Sequence, residues 1–408
     1  MKRLVSKKAL VAVAAVVGLV VGSFGGAAGA RPANAPLKGE GEGLKIIGNI
    51  GYASGTDMEF ATIKGRDYAF AGSSAALKDG GGLHVIDITN PAKAKEVAWL
   101  KCTVYQSDIQ ISHDQKTLLM GADSAGGPES CLAIGKSGFM TVDISNPKKP
   151  KPIGMAEIAR GSHNVTAHPK KPIVYNSDAD LVKVGQIEIW SIKNPAKPEV
   201  INTVKTPGTS PHDISFNSKG TMAVTAGIDS IELFDTTDPE NPTLKFVTQC
   251  PGCSITHDAK FTPDDKGLVI GDEGGGGMAY PCPGGALYFY SLAGGAVPVL
   301  TGIYEPDEFV IAGGGQGGPG ACTSHVFDFD AKGEYISISW YHAGTRYLNI
   351  KDGMGAAIGG NSAGNISEAG WFIPDGGNTW SSKIYKDPKY IFSNDLNRGF
   401  DIYQVTGK

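Results

Sequence analysis

One short pattern recurs along the chain and limits what it can fold into. It is an apolar alternation that ends near Asp and runs into Asn-Pro or Asp-Pro. Clear copies are GLHVIDITNP (82–91), GFMTVDISNP (138–147), QIEIWSIKNP (186–195) and SIELFDTTDP (230–239). Weaker copies are ALYFYSL (286–292), RYLNI (346–350) and GFDIYQV (399–405). Taking Asp87, Asp143, Ser191, Asp235, Ser291, Asn349 and Tyr403 as markers, the steps are 56, 48, 44, 56, 58 and 54 residues. A period of this length means an array of like units, and it overrides any domain count drawn from length.

The unit is easiest to read at 211–247, PHDISFNSKGTMAVTAGIDSIELFDTTDPENPTLKFV. Ile214 and Phe216 alternate with Ser215, a turn follows at 217–220, and 222–225 is a second strand. Ile231, Leu233 and then Asp235 mark a third strand, closed by Asp238-Pro239, and 243–247 is a fourth. Period-two alternation with Asn/Gly/Pro punctuation predicts four antiparallel strands. So small a sheet cannot bury both faces alone and needs its copies as neighbours. Seven such units predict an all-β fold, a seven-bladed β-propeller of four-stranded blades. The chain stops on a third strand, 399–405. LKIIGNI (44–50) near its start resembles a fourth strand, so the N-terminal strand is expected to complete the last blade and remove the open edge. An open solenoid or a pair of β-sandwiches would leave such edges.

The copies VIDITNP and TVDISNP resemble the LVIVD repeat of secreted bacterial propellers. The resemblance covers nearly all of the chain after residue 30. It implies the propeller fold and no particular activity, since propellers host many functions.

Residues 1–30 read as a signal peptide. Lys2, Arg3, Lys7 and Lys8 form a basic start, 9–21 is an apolar run too short to span a bilayer comfortably, and Ala28-Gly29-Ala30 is a small-residue cleavage site. The expected organisation is a signal peptide at 1–30, a flexible polar segment at 31–43 and the propeller at 44–408. The protein is thus expected to be secreted or extracytoplasmic, a monomer with no transmembrane segment after cleavage. The formal net charge of −4 and the absence of a basic patch give no reason to expect nucleic acid. Export permits disulfides, and six cysteines remain: Cys102, Cys131, Cys250, Cys253, Cys282 and Cys322. All map to the loops of one face, here the top. Cys102–Cys131 is the natural pair because both loops belong to blade two. The other four allow three pairings, of which analogy with blade two favours Cys253–Cys282 with Cys250–Cys322. A turn such as Cys250-Pro251-Gly252-Cys253 reads as structural rather than redox-active, for want of a helix N-terminus or cation beside it.

The first strands align as TDMEF, SDIQI, SHNVTA, PHDISF, THDAKF, SHVFDF and TWSSKIY. One column holds His163, His212, His257 and His325, with Thr56 and Ser107 in the first two blades. The next holds Asp57, Asp108, Asn164, Asp213 and Asp258, with Val326 in the sixth. Both columns are expected at the top of the axial channel. Four imidazoles from consecutive blades would suit a transition metal, Cu, Fe or Zn, with Asp108, Asn164, Asp213, Asp258 and His342 around them. Selenium-binding or methanethiol-oxidase-type propellers and four-histidine iron oxygenases place histidines at a similar level. That similarity implies a metal-dependent oxidoreductase, if the protein is an enzyme. A structural role competes: His163 with Asp178, and His257 with Asp272, would brace their own blades. On that reading the protein is a non-catalytic envelope propeller whose top loops bind a protein or glycan; otherwise its partner is a small-molecule ligand. His113 and His168 fall in bottom turns and are expected to be solvated. His84 lies inside a third strand.

Other motifs carry less. Residues 313–318 match G-x-G-x-x-G but no helix follows, and 274–277 lack the Lys-Ser/Thr of a phosphate loop. No serine elbow or zinc-protease motif occurs. Asp272, Glu273 and Asp395 lack EF-hand spacing.

Overall fold

The structure is a computed structural model that describes residues 33–74, 81–102, 104, 106–124, 136–181, 184–274, 284–292, 297–306, 322–351 and 366–407. Its strands form seven antiparallel sheets. Blade four holds Pro211–Phe216, Met222–Gly227, Ser230–Asp235 and Thr243–Thr248, the strands read from its sequence to within a residue or two at most ends. Apolar residues on both faces of each sheet need two partners, and they find them between blades. Phe70 and Val85 of blade one pack with Leu118 and Met140 of blade two, and Phe392 and Phe400 of blade seven pack with Met58 and Ile86 of blade one. Seven such clusters, one at each blade interface, close a ring among the described residues. Seven blades are therefore one cooperative body rather than a row of units.

The ring is sealed as expected. Leu44–Ile50 pairs with Gly399–Val405 as the outer strand of blade seven, in a register from Leu44 opposite Val405 to Ile50 opposite Phe400. The segment before it departs from expectation. Gly39–Glu42, read as flexible, is a fifth strand on the outer edge of blade six, with Gly39 opposite Pro374 and Glu42 opposite Trp371. The polar composition misled, because a strand that pairs only through its backbone on an exposed edge needs no apolar side chains. Gly39 and Gly43 suit the crowded approach, since a Cβ at either would meet a carbonyl oxygen at 2.2 and 2.4 Å.

Two further expectations are corrected. Cys250 is bonded to Cys253, not to Cys322, and Cys253 therefore not to Cys282. The turn that joins them, closed by Cys253 N–H on the Cys250 carbonyl and by Gly252 at φ 101°, brings their Cα atoms to 5.4 Å, within disulfide reach. Cys102 and Cys322 each take part in a disulfide as well; Cys131 and Cys282 lie outside the described residues, and with them the expected Cys102–Cys131 pair. His168 is not solvated but buried. Its Nδ1 accepts the N–H groups of Lys170 and Lys171 at 3.0 and 3.1 Å, and its Nε2 donates to the Gly220 carbonyl of blade four at 3.0 Å. Gly220, at φ 71°, leaves the room: a Cβ there would lie 2.4 Å from the imidazole. His113 is exposed as expected.

Candidate metal centre

The four histidines of the aligned column meet at the top of the axis. All are buried, between 2% and 8% exposed. Ring centroids are 4.3 Å apart for His163 and His212, 4.0 Å for His212 and His257, and 4.1 Å for His257 and His325. The backbone explains how strands that run down a blade present imidazoles across the axis. In blade four Pro211 pairs with Gly227 and Asp213 with Ala226, so His212 is the extra residue of a β-bulge. In blade five Thr256 pairs with Asp272 and Asp258 with Gly271, which leaves His257 in the same place. A bulge bends the strand and re-aims the side chain it carries. Blade seven has the same bulge with Trp380 at the tip, and Trp380 packs on His325 at 4.5 Å.

One arc end is anchored. His163 Nδ1 donates to Asp123 at 3.1 Å, and its Nε2 lies 2.9 Å from His212 Nε2. Burial works against charge on His163, but the attraction and hydrogen bond of Asp123 carry its pKa above the ordinary value. At the other end His325 Nδ1 donates to the Trp380 carbonyl at 2.6 Å. Burial pushes His325 down to about 3, and burial with the neighbouring imidazoles pushes His212 and His257 well below the usual range. Three of the four rings are therefore neutral at pH 7, the form that ligates.

Glu273 enters this arc from the end of the second strand of blade five. Its Oε2 lies 3.8 Å from His257 Nε2 and its Oε1 3.8 Å from His325 Nε2. Tyr341 donates to Oε1 at 2.6 Å. Burial, aided by Asp272 and opposed by Tyr341 and His163, pushes the Glu273 carboxyl up to about 7. One donor atom each of His212, His257 and Glu273 lie within 4.8 Å of one another, all three residues buried. This is a cluster able to coordinate a metal ion. The donor set fits one: spans of 3.8 Å are too long for hydrogen bonds, and imidazole nitrogens with a carboxylate are ligands that would hold a transition-metal ion. His257 Nδ1 has no hydrogen-bond partner.

The expected bracing pairs do not form. Asp178 faces Arg160 at 3.1 Å and accepts from Ser210 Oγ at 3.1 Å. Asp272 accepts the N–H groups of Ser254 and Ile255 at 2.8 and 3.0 Å. These acids fix the loops that enter the first strands, and the Asp123 brace of His163 reaches back to the preceding blade. His342 is exposed, because Tyr341 beside it takes the inward position.

Beneath the arc a cavity of about 290 Å³ follows the axis, reached by His212, His257 and His325 from above. The second column lines it with Asp57, Asp108, Asn164, Asp213 and Asp258. Asn164 Nδ2 donates to the His212 carbonyl at 2.7 Å, and Asp108 accepts the Val165 N–H at 2.8 Å. The column two residues further on, unread in the sequence, supplies Glu59, Lys260, Asp328 and Lys383. Lys383 lies 3.0 Å from Asp57 and 2.8 Å from Glu59, and Lys260 3.2 Å from Asp258. Burial, then the neighbouring Asp57 and Asp258 respectively, hold Asp108 and Asp213 well above the carboxylate range. Burial and the neighbouring carboxyls thus favour the protonated form of Asp108 and Asp213, and Lys260 and Lys383 offset part of the remaining negative charge.

The LVIVD repeat family matches at residues 75–99 and 130–155, in the first two of the seven units. This seven-bladed β-propeller thus carries LVIVD repeats in two of its units. Solved structures agree on the fold. The β-propeller domain of Cps50 (Swd1) from Myceliophteria thermophila superposes with a TM-score of 0.61 at 11% identity, over 88% of this chain and all of that one. Kuenenia stuttgartiensis hydrazine synthase gives 0.57 at 12% identity, over 84% of this propeller and 93% of that chain. A functionally unknown protein from Desulfotomaculum acetoxidans gives 0.54 at 15%, over 77% and 88%. No curated protein matches the sequence. Identities this low carry the fold alone.

Proposed function

We propose that this propeller is an extracytoplasmic metalloprotein whose ion sits at the top of the axis, held by His212, His257 and Glu273, with His325 beside them and His163 bracing the arc from Asp123. The observation that carries the reading is the convergence of three buried donor atoms within 4.8 Å of one another. Neutral imidazoles with a carboxylate suit Cu, Fe or Zn. The proton between the Nε2 atoms of His163 and His212 is what a cation would replace. Resemblance of the histidine level to methanethiol-oxidase-type propellers and four-histidine iron oxygenases favours oxidative chemistry on a small molecule that reaches the ion through the cavity. Export is supported by residues 1–30 and by disulfide bonding at Cys102, Cys250, Cys253 and Cys322. Among the described residues no helix is long and apolar enough to cross a membrane.

Metal analysis of the purified protein tests this reading. One equivalent of a transition metal per chain is expected, together with a fall in Tm on chelation. A site filled to a thousand times its dissociation constant stabilises by about 4 kcal/mol. Absence of stoichiometric metal, with Tm unmoved by chelator, would sink it.

A further inference from the structure

Tyr341 is held in a conformation that a bulky residue avoids. It lies at φ 47°, in the left-handed region, where an aromatic side chain is strained. Two contacts impose it. The Tyr341 carbonyl accepts the N–H of Gly344 and that of Thr379 in blade seven, both at 3.0 Å. The tight turn closes with Trp340 N–H on the Gly344 carbonyl at 2.7 Å. Gly344, itself at φ 74°, admits no side chain, since a Cβ there would lie 2.1 Å from the Phe372 carbonyl oxygen.

The strain has a geometric product. The Tyr341 ring is turned into the centre, 5% exposed, with its centroid 4.7 Å from His325. Its hydroxyl reaches the one Glu273 oxygen that also faces His325, at 2.6 Å. A phenylalanine would fill the same space, and a hydrogen bond to Glu273 is available to many side chains in relaxed backbone. A strained phenol whose oxygen is bonded to a ligand carboxylate and whose ring packs on an imidazole is placed as a donor.

We propose that Tyr341 is itself a metal ligand, its phenolate oxygen joining His212, His257, His325 and Glu273, and that the ion is Cu(II) or Fe(III). This rests on the metal reading above. Phenolate is an anionic, hard, electron-rich donor that matches those two ions and offsets their charge in a buried site. On loading, the phenol O–H bond breaks, an oxygen–metal bond forms and the proton passes to solvent; no electron is transferred.

The test is spectroscopic. Full-length protein is stripped, then loaded in separate samples with Cu(II) and with Fe(III), and metal content, visible absorption and resonance Raman spectra are recorded for wild type and Tyr341→Phe. Expected are one ion per chain in both proteins for at least one of the two metals. With that metal, wild type should show an intense visible charge-transfer band with phenolate ring modes, and Tyr341→Phe should lack both. Stoichiometric metal without phenolate modes in wild type, or an unchanged band in Tyr341→Phe, would overturn the proposal and leave the metal site standing. Uptake of neither ion by wild type would overturn both. Should the variant fail to fold, the Raman spectrum of wild type alone decides.

Discussion

The histidine arc and the acid–lysine tier beneath it hang from the same first strands, yet they treat buried polar groups in opposite ways. The lower tier sets its charges against one another, with single oxygens of Asp57 and Asp258 left without a hydrogen bond. Lys383 holds Asp57 and Glu59, Lys260 holds Asp258, and Asp108 and Asp213 keep protons against their partners. The upper tier leaves His257 Nδ1 unpartnered and stretches two imidazole–carboxylate spans to 3.8 Å. Buried polar groups are normally satisfied. The difference marks the upper tier, among the imidazoles, as the one whose donor atoms suit an added cation.

Substitutions in the two tiers should therefore behave differently. The largest effect is expected from Lys383→Met, which strands Asp57 and Glu59 in a site where the lysine is 2% exposed. Breaking one side of a buried ion pair costs about 3–5 kcal/mol, read as a shift in urea midpoint, and added metal should not restore it. His163→Ala comes next. It removes the Asp123 bond and should cost about 1–3 kcal/mol with or without metal; a loss that appears only in metal-loaded protein would show that His163 is a ligand and not a brace.

Asp213→Asn should give the smallest effect and the clearest pH signature. The folded state holds the Asp213 proton more tightly than the unfolded chain. That stabilisation is present at low pH and is lost as pH rises above the unfolded value near 4 towards the raised folded one. The variant lacks this loss, so the stability difference between wild type and Asp213→Asn should move in the variant's favour from pH 5 to pH 8. A difference constant with pH would mean that Asp213 is ionised in the fold.

The blades were legible because each strand is short, alternating and bounded by turn residues, and because the marker pattern repeats. The histidine column was legible for the same reason: a position fixed by the repeat need only be aligned. What convergence required was not. His212 and His257 point across the axis because they are bulged, and a bulge is a mismatch between two strands that neither strand shows alone. Glu273 and Tyr341 were visible as residues near the ends of second strands, but their inward turn depends on backbone pinned by other blades. The lower tier had a signal that went unread, a second polar column two residues after the Asp column. Asp178 and Asp272 misled because a nearby acid in sequence was spent on its own loop.

The seam between Leu44–Ile50 and Gly399–Val405 has a kinetic consequence. These contacts join the two ends of the propeller, Leu44 to Val405, and the closing entropy of so long a loop must be met before they return anything. Asn49 donates to Asp401 at 2.7 Å and to the Arg398 carbonyl at 3.2 Å, so the latch is polar as well as backbone-made. Blades one to six can be assembled while the ribosome still holds the last strand; blade seven cannot. Ring closure is thus the late event in folding, and loss of the final strand would remove the step itself, leaving a six-bladed arc with two unsatisfied edges.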